Sequence, residues 1–140
     1  QKQVIKLLND LQKKLGFAMI FVSHDLALVA EVASEITVMY AGQVEEYAAT
    51  EELFARPSHP YTTGLIASIP SLDREEEELN VIPGAVPMLY ELPKGCLFAP
   101  RCPYATEACQ QPQKLEEVLP GHFVACCRCH ELNDLSETKN

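Results

Sequence analysis

No proline precedes Pro57 and no cysteine precedes Cys96, although the 140 residues hold ten prolines and six cysteines. The missing prolines leave the first 56 residues, dense in Val, Ile, Leu and Ala, free for regular structure. Positive charge is also scarce. The chain has 11 Lys and Arg against 20 Asp and Glu, a formal net charge of −9. That balance argues against a nucleic-acid surface, which clusters Lys and Arg on one face, and against a polybasic membrane patch. No apolar run reaches the roughly 18 residues of a membrane span. No basic stretch leads into an apolar one at the start, so no secretion signal is visible. The opening QKQVIKLL, without Met, is expected to be the edge of a cut-out piece.

What is present has a legible order. Val4, Leu7, Leu8, Leu11 and Leu15 fall at helical spacing, with Gly16 as the C-terminal stop. FAMIFVS, residues 17–23, is a continuous apolar run of the kind that forms a strand covered on both faces in a parallel sheet. DLALVAEVA, from Asp25, reads as a second helix with Ser23 or Asp25 as cap. EITVMYAGQVEEYA reads as a hairpin or strand pair turning at AGQ. The rhythm is that of an α/β fold. Beyond it, residues 57–78 hold a short helix capped by Ser58 or His59, with Pro60 in its first turn, and then the acidic run DREEEE, read as a solvated linker. Residues 79–140 are rich in cysteine and proline.

VSHD, residues 22–25, places His24 just past the end of the expected strand and before a helix. Ligands of open α/β sheets, anions among them, bind there. A surface histidine in a capping turn is the plain alternative. The wider stretch IFVSHDLALVAEVASEITVMYAGQVEE resembles the end of an ABC-transporter ATPase domain. SHPYTTGLIASIP, PKGCLFAPRCPYATEAC and PGHFVAC are similar to segments of the ATP-binding subunits of dipeptide, oligopeptide and nickel-type importers. The ordered set is far more specific than SHD alone.

The resemblance implies an α/β fold: the C-terminal part of an ABC ATPase domain at 1–56, a His-Pro-Tyr helix and linker at 57–78, and a small metal-stapled extension at 79–140. It implies that His24 is the switch histidine, catalytic and in reach of the ATP γ-phosphate, because a ring N–H can steady transition-state charge. It implies ATP and Mg2+ as cofactors and a second ATPase subunit and transmembrane permease subunits as partners. The expected place is the cytoplasmic face of a prokaryotic membrane, with no nucleic acid involved. Yet the chain contains no G-x-x-x-x-G-K-[ST] phosphate loop, no LSGGQ-like signature and no strand ending in Asp-Glu for magnesium. ATPase activity is therefore expected of the intact protein and not of these residues alone.

The six cysteines divide into Cys96, Cys102 and Cys109, then Cys126, Cys127 and Cys129. Disulfides are rare in the reducing compartment of an intracellular ATPase. Buried free thiols explain one or two cysteines better than six. Metal ligation explains the clustering, and Cys126-x-x-Cys129 has zinc-knuckle spacing. The resemblance implies instead a [4Fe–4S] cluster on Cys96, Cys102, Cys109 and Cys126, with Cys127, Cys129 and His130 departing from the family's single cysteine. Two classes of function remain, a transport ATPase subunit and a non-enzymatic metal-binding interaction module.

Overall fold

A computed structural model describes residues 2–70 and 81–137, with side chains to residue 133. The DREEEE run lies outside the described residues.

Helix α1 (Lys2–Leu15) ends where Gly16, at φ +70°, donates its N–H to the Gln12 carbonyl at 2.8 Å. The positive φ is one that glycine adopts without strain. Only Ile5 of this helix is buried, and Val4, Leu7 and Leu15 stay exposed. Helix α2 (Leu26–Val32) is capped by Asp25, whose Oδ1 accepts from Leu28 N at 3.1 Å. Strands β1 (Glu35–Tyr40) and β2 (Gln43–Ala49) form the expected hairpin. Ala41 and Gly42, at φ 47° and 83°, make its two-residue turn, and positive φ at both positions matches the twist of the strands. In β1 the inward Ile36, Val38 and Tyr40 alternate with exposed neighbours. Helix α3 (Thr50–Ala55) and helix α4 (Pro60–Ala67) follow.

The cysteine-rich part returns to the same sheet. Strands β3 (Glu116–Leu119) and β4 (His122–Val124) pair with each other, and β4 pairs with β2 through Glu46–Val124 and Tyr47–Phe123. The order is β1-β2-β4-β3, antiparallel throughout. Helix α5 (Cys129–Glu137) closes the described chain.

The fold is thus mixed α/β with one antiparallel sheet, and two expectations are corrected. FAMIFVS forms no strand, and Ile20 and Val22 are 94% and 90% exposed. An apolar strand needs ladder partners and covering layers, and every strand among the described residues is already paired in the antiparallel sheet. The α/β rhythm accordingly gives no parallel pair among the described residues.

The extension packs against the hairpin through large aromatic side chains. Phe98, 2% exposed, sits against Tyr40 and Tyr61 with ring centroids 5.4 and 5.3 Å away, and Tyr40 and Tyr61 meet edge-on at 4.8 Å. Arg101 donates to the Pro83 and Ile82 carbonyls at 2.9 and 3.2 Å and to the Tyr40 hydroxyl at 3.3 Å, tying this region to the hairpin. Metal was expected to substitute for a core here. Large aromatic side chains supply apolar contact here, and no metal-binding group is found among the described residues.

Candidate functional site

Among the described residues, three places carry polar chemistry. The first is His24. Ser23 Oγ accepts from Asp25 N at 3.0 Å, and the Asp25 cap fixes the turn on its other side. Between them His24 is exposed, on the rim of an open groove lined by Phe21, Leu26, Val29, Ile36 and Val38. No hydrogen bond or ion pair holds its ring among the described residues. A rigid turn thus presents an unengaged imidazole.

The second is a small, partly open cavity of about 10 Å3. Cys96, Cys102, Cys109 and Cys126 all line it, with His59, Phe98 and Arg128. Gly95 makes the first approach possible: Cys96 N donates to Cys109 O at 2.8 Å, and an added Cβ on Gly95 would collide with that carbonyl and with Gln110. Cys102 follows a tight turn over Ala99–Arg101. Cys109 lies in the turn Glu107–Gln110, where Thr106 N donates to its Sγ at 3.5 Å. Cys126 follows β4, anchored as Ala125 N donates to Glu45 O at 2.8 Å.

Burial pushes the Cys96 thiol up to about 11 and the Cys126 thiol up to about 12. It also raises Cys102. Cys109 is pushed up by burial too, but the Thr106 N–H and hydroxyl, the Cys127 thiol and the Arg128 charge outweigh this and leave it below the ordinary value.

Whether the cavity fits a metal depends on spacing. Among the described residues no three His, Cys, Asp or Glu side chains are arranged to hold a metal ion. Zinc on Cys126 and Cys129 finds no support, since Cys129 is buried as the first residue of α5 and does not line the cavity. The four-thiol set fits an iron–sulfur cluster in number and kind, one thiolate for each iron. The four sulfurs are not set at metal-binding spacing in this structure.

The third place escaped the sequence reading. Glu46, 0% exposed on β2, accepts from Ser58 N at 2.8 Å through Oε1 and from His59 N at 2.9 Å through Oε2. His122 Nε2 lies 2.6 Å from Glu46 Oε1, and His122 Nδ1 lies 3.4 Å from Glu52 Oε1. The Arg56 guanidinium holds the Glu52 carboxyl below its usual range, and His122 adds to this. His59 Nδ1 accepts from Tyr61 N at 3.0 Å, so the ring proton sits on Nε2, 3.1 Å from Glu45 Oε2 but out of line for a hydrogen bond. The Glu46 carboxylate therefore joins the hairpin, the His-Pro-Tyr loop and β4. The capping role expected at His59 is present, with Pro60 in the first turn of α4. The available signal was EE inside an apolar strand, with a lone histidine in each of SHPY and GHFV.

Residues 45–109 match the family described as "Oligopeptide/dipeptide transporter, C-terminal region". The chain is 45% identical over 126 residues to the oligopeptide transport ATP-binding protein OppD of Escherichia coli, covering 90% of this chain and 37% of that protein. It is 47% identical over 131 residues to a putative peptide import ATP-binding protein of Brucella ovis, covering 91% and 41%. It is 46% identical over 126 residues to OppD of Haemophilus influenzae, covering 90% and 39%. The chain thus spans about two-fifths of the length of the curated relatives it matches.

Proposed function

We infer that this chain, which carries the oligopeptide/dipeptide transporter C-terminal region, is part of an ATP-binding subunit that powers peptide import by an ABC transporter. The supporting observation is the 45–47% identity, over nine-tenths of the chain, to proteins named for that role. Those names favour a transport ATPase over a stand-alone metal-binding module. On this reading the intact protein binds ATP and Mg2+, works with a second ATPase subunit and membrane-embedded permease subunits, and sits on the cytoplasmic face of the membrane. No helix among the described residues is long and apolar enough to cross a membrane. Reconstituting the intact subunit with its permease in vesicles tests the role. ATP-dependent uptake of a labelled oligopeptide supports it, and hydrolysis without uptake of any peptide length overturns it.

His24 is the proposed catalytic residue and phosphate contact, on its fixed, exposed turn. The backbone cradle for the phosphates is absent from these 140 residues. Isothermal titration of residues 1–140 with Mg·ATP is therefore expected to show negligible binding. A micromolar affinity would mean that this segment holds nucleotide by another route.

A second reading rests on the thiol cavity. Cys96, Cys102, Cys109 and Cys126, which line one pocket, are the proposed ligands of a [4Fe–4S] cluster, each losing its proton to bind. The cluster would supply a four-point covalent cross-link between the extension's turns and the end of β4. Intact protein purified without oxygen is expected to be brown, absorbing broadly near ~400 nm. Cys102→Ser should bleach it. Iron-free protein from such a preparation rules the cluster out.

A further inference from the structure

Cys127 is the one exposed cysteine, and it does not line the thiol cavity. It occupies the turn between β4 and α5. Its Sγ nevertheless lies 3.9 Å from the Sγ of Cys109, 18 positions earlier. We propose that Cys109 and Cys127 form an oxidation-sensitive thiol pair, closed to a disulfide by a low-molecular-weight disulfide, with exposed Cys127 as the entry point and buried Cys109 as the resolving thiol.

The geometry supports this division of labour. A disulfide holds its sulfurs about 2.05 Å apart, so the two atoms must approach by a little under ~2 Å, a shift on the scale of side-chain rotation. Both partners are held in place. Thr106 N and Thr106 Oγ1 lie 3.5 and 3.9 Å from Cys109 Sγ. Arg128 donates to the Tyr104 carbonyl at 2.6 Å and to Glu131 at 2.9 and 3.0 Å, fixing the turn that carries Cys127. A bulky disulfide can reach Cys127 and not Cys109, which is buried. In the first step the Cys127 thiolate attacks one sulfur of the reagent disulfide R–S–S–R. A Cys127–S–S–R bond forms, the reagent S–S bond breaks, and R–S⁻ leaves and takes a proton. In the second, the Cys109 thiolate attacks the Cys127 sulfur and expels the second R–S⁻. The two protein thiols lose two electrons and two protons, and the reagent gains both. The bond removes Cys109 from the four-thiol set, so oxidation and metal loading would compete. The pairing depends neither on the transport role nor on the cluster.

The test takes intact protein, reduced and stripped of metal, and treats it with oxidised glutathione. Trypsin cuts after Arg101, Lys114 and Arg128, so Cys109 and Cys127 fall in peptides 102–114 and 115–128. The expected product is these two peptides joined, with fragmentation placing the bond at Cys109–Cys127 and dithiothreitol separating them. Cys127→Ser, at an exposed position, should abolish the joined product, and Cys129→Ser should leave it. Glutathione retained on Cys127 with no joined peptides would overturn the proposal. So would a bond running through Cys102 or Cys126.

Discussion

Replacing His24 with alanine in the intact protein is expected to lower ATP turnover by about a hundredfold while ATP binding stays near its original strength. The expectation combines placement and chemistry. The ring stands exposed on a turn fixed by Ser23 and Asp25, with no hydrogen bond of its own among the described residues. Truncating it leaves no buried donor unpaired and opens no cavity, so stability should move by less than ~0.5 kcal/mol, as for ordinary surface changes. Loss of one preorganised donor to transition-state charge typically costs on the order of 3 kcal/mol, and each 1.36 kcal/mol is about tenfold in rate. Phosphoryl transfer depends mainly on such positioning and charge stabilisation. The decisive measurement is steady-state hydrolysis beside nucleotide affinity and urea stability on one preparation. Turnover within about twofold of the parent would remove His24 from the chemistry. A parallel fall in ATP affinity would make it a ground-state contact instead.

Local signals in the sequence carried through wherever the physics was local. The α1 stop at Gly16, the Asp25 cap, the two-residue hairpin turn and the Pro60 helix start each depend on a few adjacent residues, and each is present. FAMIFVS failed because strand formation depends on neighbours that an apolar run cannot supply for itself. The thiol cavity was half legible. The family resemblance, not spacing, singled out Cys96, Cys102, Cys109 and Cys126, and all four line one pocket, whereas the spacing of Cys126 and Cys129 pointed to a pair that does not share it. The carboxylate junction was illegible because its members come from residues 45–59 and 122. A buried Glu looks like any other Glu until the fold brings its donors to it.

That junction carries the largest expected stability effect. Glu46→Ala in the intact protein is expected to lower the local opening free energy of β2, β4 and the His-Pro-Tyr loop by about 4 kcal/mol. The change removes a fully buried carboxylate and strands three donors: Ser58 N, His59 N and His122 Nε2. Each buried group left unpaired costs about 1–3 kcal/mol, and three are stranded together. Since a domain is stable by only about 5–15 kcal/mol, this is a large share of the total. Glu46→Gln preserves shape and one acceptor oxygen, so it should cost less than the alanine change. Amide hydrogen exchange reads the effect directly. Protection should fall together at residues 45–48, 58–62 and 122–125, because the same carboxylate joins all three segments. Exchange confined to β2, with β4 and residues 58–62 unchanged, would show that sheet pairing and the Phe98 cluster hold the extension without the carboxylate. If the alanine protein does not fold, the same three-segment pattern is expected, more weakly, in Glu46→Gln, and its absence there counts equally against the junction.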